Sequence, residues 1–193
     1  MDRESVRGDD ARAIGPAAAR GAAESVLAGK QRRKARESVV AQAKARQQFA
    51  ALPFRKKPGF QVMLVSSRDT RRWVLPKGWP MKGVKPHTVA EIEALEEAGL
   101  QGKIGKLAIG AYHYVKRMPN GAALLCEVSV FPFRVEKQRR NWLERDQRMT
   151  GWFDATEAAD LVDEPELRDL ILGFAQGTRR LADDDVGKGF EPF

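Results

Sequence analysis

Apolar and polar positions along the chain fall into blocks whose period changes from one stretch to the next. The run Phe60 to Ser66 (FQVMLVS) is short and mostly apolar, and a second run, Arg72 to Leu75, follows a polar turn at Ser67–Thr70. Runs of this length bounded by turn residues read as paired strands. Pro76, Gly78, Pro80, Gly83 and Pro86 make the next eleven residues a loop. Helical spacing runs from about His87 to Ala98 and stops at Gly99, which can take the positive φ of a helix end. Two longer strands, Ile104–Val115 and Ala122–Glu136, flank Pro119–Asn120–Gly121, a hairpin signal. A short strand at Gly151–Phe153 precedes a helix from about Pro165 to Gln176, with Leu167, Leu170, Ile171 and Phe174 at core spacing. Strands interleaved with amphipathic helices predict a mixed α/β sandwich.

The first fifty residues behave differently. They are rich in Ala, Arg, Lys and Gln, with Gly8, Gly15, Gly21 and Gly29 interrupting the early part and a cleaner helical stretch at Lys30–Ala51. The expected organisation is a basic arm, partly helical or disordered, over 1–50, a folded body over 51–177 and a flexible tail over 178–193. Charge sharpens this division. The formal net charge is +8, yet residues 1–58 hold 14 Lys/Arg against 6 Asp/Glu while residues 59–193 hold 20 of each. The excess therefore belongs to the arm, and a generic electrostatic tether with weak nucleic-acid contact is expected before specific recognition. The single cysteine, Cys126, excludes an intramolecular disulfide, and its apolar run places it in a buried strand. No stretch approaches the roughly 18–20 apolar residues of a membrane span and the charged start lacks an apolar leader, so a cytoplasmic protein without membrane contact is expected.

Candidate chemistry concentrates on the helix before Gly99. Glu93, Glu96 and Glu97 stand at i, i+3 and i+4 and share one face, while Ile92, Ala94, Leu95 and Ala98 occupy much of the other side. Clustered carboxylates repel and want a compensating cation, and a hard divalent ion with oxygen ligands suits them. From the spacing alone, a solvated acidic face explains the pattern equally well.

The stretch Leu75 to Leu100 (LPKGWPMKGVKPHTVAEIEALEEAGL) resembles the Nudix box, G-x5-E-x7-R-E-U-x-E-E-x-G-U with U a bulky apolar residue. Gly78 takes the first glycine, Glu93, Glu96 and Glu97 the last three glutamates, Gly99 the second glycine and Leu100 the final apolar position. Val84 stands where the first Glu belongs, Ile92 where Arg belongs, and Ala94 where a larger apolar residue is usual. Neither Val84 nor Ile92 occupies a ligand position, and an ion pair lost from both sides leaves no unpaired charge behind. The flanks ALPFR (Ala51–Arg55), RRWVLPKGWP (Arg71–Pro80) and NWLERDQRMTGWF (Asn141–Phe153) resemble the diphosphoinositol-polyphosphate phosphohydrolase branch, so the likeness covers roughly residues 51–176.

That resemblance implies a Nudix-type α/β/α sandwich with a mixed central sheet and a hydrolase of phosphate–phosphate linkages using Mg²⁺, with Mn²⁺ as the alternative. It implies Glu93 and Glu97 as catalytic residues and Glu93, Glu96, Glu97 and the Gly78 carbonyl as metal donors, with a further carboxylate from Glu127, Glu136 or Glu144. Among the cations flanking the box, Lys77 leads as a phosphate contact, followed by Arg72, Arg71 and Lys82. The implied substrate is a strongly anionic small molecule, a diphosphoinositol polyphosphate or a dinucleoside polyphosphate. Rival readings are a nucleoside-diphosphate derivative such as ADP-ribose, the 5′ end of RNA, or a catalytically weakened domain serving as a nucleic-acid-binding regulator. Trp79 and Trp142 invite base stacking, but edge packing is the commoner fate of Trp.

Overall fold

In the computed structural model, which describes residues 45–56, 59–118 and 121–184, eight strands join in one mixed sheet. In chain order the elements are β1 (Arg46–Arg55), β2 (Gln61–Ser66), β3 (Trp73–Val74), β4 (Lys77–Gly78), α1 (Pro86–Ala98), β5 (Leu100–Ile104), β6 (Gly110–Arg117), β7 (Ala123–Gln138), β8 (Thr150–Asp154), α2 (Ala155–Leu161) and α3 (Pro165–Asp184). The strand order β3-β2-β1-β7-β5 puts β1 at the centre, with β4 paired to β1, β6 to β7 and β8 to β2. Only β1 and β7 run parallel, in register from Arg46↔Cys126 to Phe54↔Arg134; the other pairs are antiparallel.

Alternation along the strands divides the core into two layers. On one face Ala50, Leu52, Val62, Leu64, Val128 and Val130 pack under α2 and α3, which contribute Ala155, Ala158, Leu167 and Ile171. On the other, Ala51, Met63, Val65, Phe131 and Phe133 pack under α1 through Ala90, Ala94 and Ala98. Small Ala94, fully buried, lets α1 lie close to the sheet. The expected mixed-sheet sandwich is the observed architecture. Among the described residues no helix is long and apolar enough to cross a membrane.

Four boundaries differ from the sequence expectations. Arg46–Ala51, read as the end of a basic helix, belong to β1, because a strand buried on both faces accepts small Ala side chains whatever their helix propensity. The folded body thus starts ahead of residue 51, and the rest of the expected arm lies outside the described residues. The single run expected over Ile104–Val115 is two strands, β5 beginning at Leu100 and β6 at Gly110. The helix α2 had no counterpart in the sequence reading. Finally α3 continues to Asp184, into the stretch expected to be a loose tail, whose remainder is outside the described residues. Gly99 behaves as expected: it ends α1 at φ 68° and its N–H donates to Leu95 O at 2.9 Å.

Candidate active site

Where α2 and α3 leave the sheet uncovered, its core face becomes the floor of a cleft of about 710 Å³. Gln48 on β1 and Tyr114 on β6 form part of that floor and are joined by a hydrogen bond from Tyr114 Oη to Gln48 Oε1 (2.6 Å). One wall is β4 with Lys77, Gly78 and the following Trp79; behind it stands the acidic face of α1, and the loop between β7 and β8 closes the corner with Glu144 and Arg148. The opposite end carries Arg72, Asp163 and Glu164.

The acidic corner brings Glu93, Glu97 and Glu144 together. Glu97 is buried, and burial first, then repulsion from Glu93 and Glu144, pushes its carboxyl up to about 7 against the pull of Lys77 and Arg148. Glu93 is also raised, by burial and then by Glu96 and Glu144. Gly78 is required for this packing: a Cβ there would lie 1.7 Å from Glu93 Oε1, so the carboxylate rests directly against the glycine backbone. Arg148 holds the corner together. Its side chain is 8% exposed and its guanidinium bonds Glu97 Oε1, Glu144 Oε2 (2.5 Å) and the Ser66 carbonyl (3.0 Å). The backbone N–H of Glu144 donates to Glu96 O (3.0 Å), which fastens this loop to α1.

Lys77 faces Glu97 across the wall. Its ammonium is 5.5 Å from the centre of the Tyr114 ring, and burial, with Arg72 and Arg148 nearby, lowers its pKa to about 8 despite the attraction of Glu97 and Glu164. Arg72 is committed to Glu164 (2.5 Å) and reaches Asp163 (3.5 Å). Glu164 Oε2 is buried with no hydrogen-bond partner among the described residues.

The sequence-derived candidates therefore separate. Gly78, Glu93, Glu97, Lys77 and Arg72 line one cleft. Glu96 does not: its half-buried side chain is outside the lining, and its contribution is the carbonyl that receives Glu144 N–H. Arg71, held at φ 58°, turns its guanidinium to Gln147 O (3.0 Å), and Lys82 is exposed on the loop before α1, so neither lines the cleft. Of the three outside carboxylates only Glu144 reaches the acidic corner. Glu127 lies 3.5 Å from His113 and Glu136 is exposed near the end of β7. Sequence reasoning missed the bridging position of Arg148 and the Arg72–Glu164 pair. The i,i+4 spacing of Glu144 and Arg148 was the one local signal available.

The donor set fits a hard divalent cation: the carboxylates of Glu93, Glu97 and Glu144 share one corner, and their mutual repulsion adds to burial, the larger cause, in raising Glu93 and Glu97. Among the described residues no three acidic, cysteine or histidine side chains converge as a finished metal cage, and Arg148 occupies one oxygen of each of Glu97 and Glu144.

No family model matches the chain. Curated proteins of Arabidopsis thaliana are similar to it: "Nudix hydrolase 16, mitochondrial" is 27% identical over 123 residues, covering 60% of this chain and 66% of that protein. "Nudix hydrolase 12, mitochondrial" is 28% identical over 104 residues, covering 52% and 51%. The chain thus spans about half to two thirds of the length of these relatives. Among solved structures, an Ap4A hydrolase of C. elegans shares the fold at TM-score 0.52 and 16% identity, covering 70% of this chain and 99% of that one. A NUDIX hydrolase from Nitrosomonas europaea aligns at TM-score 0.55 and 18% identity, covering 69% and 90%.

Proposed function

We propose that this chain, whose place in the Nudix hydrolase superfamily is supported by its curated relatives and its fold neighbours, is a divalent-metal-dependent pyrophosphohydrolase. The observation that carries the reading is the acidic corner of Glu93, Glu97 and Glu144 packed against Gly78, with Lys77 on the adjoining wall. In this reading Glu93, Glu97, Glu144 and the Gly78 carbonyl hold the cation, and Glu96 acts from just outside. Bound there, Mg²⁺ or Mn²⁺ would neutralise phosphate oxygens and make water a better nucleophile. The chain's own groups do the rest. Lys77 and Arg72 orient the phosphates, Arg148 fixes the two carboxylates it bridges, and Glu93 or Glu97 accepts the proton of the attacking water.

The substrate is a strongly anionic phosphoanhydride. A dinucleoside polyphosphate or another nucleoside-diphosphate derivative agrees with the neighbour named for Ap4A hydrolysis and with a further fold neighbour, the NUDIX domain of Shewanella oneidensis NrtR complexed with ADP ribose. A diphosphoinositol polyphosphate, the substrate implied by the branch resemblance, is the alternative, and Lys77 and Lys116 in the lining are the groups that would meet its phosphates. The cytoplasm is the proposed setting; the lone, buried Cys126 is compatible with any reducing compartment. The test is release of phosphate from a panel of these substrates with and without Mg²⁺. EDTA-sensitive turnover of one class supports the reading, and a metal-bound protein silent on the whole panel overturns it.

A further inference from the structure

Beyond the catalytic corner, the cleft continues along the sheet face toward the start of β1, and there its character changes. Arg46 pairs with Cys126 on β7, which pairs with Tyr114 on β6. Residues two apart on a strand share a face, so Arg46 lies on the face of Gln48, and Lys116 on that of Tyr114. The Tyr114–Gln48 hydrogen bond shows that these are the same face. Both cations converge on Trp79, the residue after Gly78: Arg46 Cζ is 5.7 Å and Lys116 Nζ 5.5 Å from its ring centre. Among the described residues neither cation makes a salt bridge to a carboxylate. Trp79 and Lys116 line the cleft, and the exposed Arg46 borders it. Four residues along β1, about 13 Å at the usual rise of a strand, separate Arg46 from Ala50, the residue paired with Lys77.

We propose that Arg46, Lys116 and Trp79 form an outer anion subsite that binds a phosphate group on the distal part of the substrate. The proposal rests on the pyrophosphohydrolase reading and extends it to substrate class. Two cations without carboxylate partners need counter-charge, and the indole beneath them keeps them gathered without neutralising them. With cations already over the ring, Trp79 serves as a platform for charge and not as a stacking surface for a nucleobase. The favoured substrate therefore carries phosphate well beyond the anhydride that is cut.

The test uses the full chain in EDTA, with inositol hexakisphosphate as a phosphate-rich probe that has no anhydride to cleave and adenosine as a base-bearing one without phosphate. Calorimetric titration of wild type, the double variant R46Q/K116Q and W79A is run at physiological salt, and the basic arm is common to all three. The expected result is hexakisphosphate binding about tenfold weaker in R46Q/K116Q, the effect of two partly exposed charge pairs, and weaker in W79A as well, with adenosine binding the same in all three proteins. Unchanged hexakisphosphate binding would overturn the subsite, and so would adenosine binding that is lost in W79A, which would make Trp79 a base platform. Because binding is read without turnover, failure of the hydrolase reading would appear separately, as a wild type that binds the probe yet cleaves no anhydride.

Discussion

Replacing Gly78 by Ala isolates the contact on which the acidic corner depends. The added methyl would sit 1.7 Å from Glu93 Oε1 and 2.2 Å from Cδ, well inside van der Waals distance, so one partner must move. Gly78 is buried in β4 and paired with Phe49, and its backbone is not in the left-handed region. The strand therefore has little reason to shift, and the half-buried end of Glu93 yields. Overpacking of this kind costs roughly 1–3 kcal/mol of stability. The catalytic loss should be larger in proportion, because removing one preorganised electrostatic group from a reaction centre costs about 10²–10³ in kcat. Purified wild type and G78A would be compared by denaturant melting and by steady-state hydrolysis under saturating Mg²⁺. The expected result is a folded protein with kcat down at least a hundredfold. A folded G78A with wild-type kcat would refute the argument, since Glu93 could then leave its place without consequence.

Other outcomes follow from the same geometry. Glu97→Gln should abolish turnover while the protein stays folded, because Glu144 still pairs with Arg148; substantial residual hydrolysis would remove Glu97 from the reaction centre. Glu97 has its folded pKa raised to about 7 from an ordinary 4.5, so its contribution to metal-free stability is full below 4.5 and lost as pH rises through 7. Between those values the melting temperature of metal-free wild type should fall relative to E97Q, and a flat difference across that window would contradict the assignment. Gly99→Ala combines a φ of 68° with a Cβ 2.6 Å from Trp142 Cε3 and should cost about 1–3 kcal/mol in chemical denaturation; an unchanged midpoint would count against it. Deleting residues 1–44 should leave hydrolysis intact and weaken any nucleic-acid binding. Deleting 1–50 should fail to fold, because it removes half of β1, and circular dichroism separates the two cases.

Much of the site was readable before the fold, since its residues lie close in sequence. Gly78 in β4 precedes Glu93 and Glu97 on α1 by a short stretch of chain, and helical spacing alone put the two glutamates together. Gly99 was legible for the same reason, as a local backbone requirement. What escaped depended on tertiary burial. Arg46–Ala51 carries small residues whose intrinsic preference is helical, and only the flanking strands β7 and β4 make it extended. The stretch from Ile104 was read as one strand although Gly105 and Gly110 bracket the break, because the apolar Leu107 between them, left 83% exposed, kept the strand-like pattern going. Arg148 meets Glu97 across fifty-one positions, and Arg72 meets Glu164 across ninety-two, separations at which spacing has no meaning. Arg71 and Arg72 show the limit most plainly: adjacent basic residues, one turned into the cleft and one away from it by a positive φ.

The measurement that bears most directly on the account is Mg²⁺-dependent phosphate release from ADP-ribose, dinucleoside polyphosphates, diphosphoinositol polyphosphates and 5′-triphosphate RNA, run side by side with wild type and E97Q. The expected result is EDTA-sensitive cleavage of one substrate class by wild type and none by E97Q. Absence of cleavage by a folded, metal-binding wild type, or equal rates in the two proteins, would contradict the claim that the acidic corner is a phosphoanhydride-hydrolysing centre.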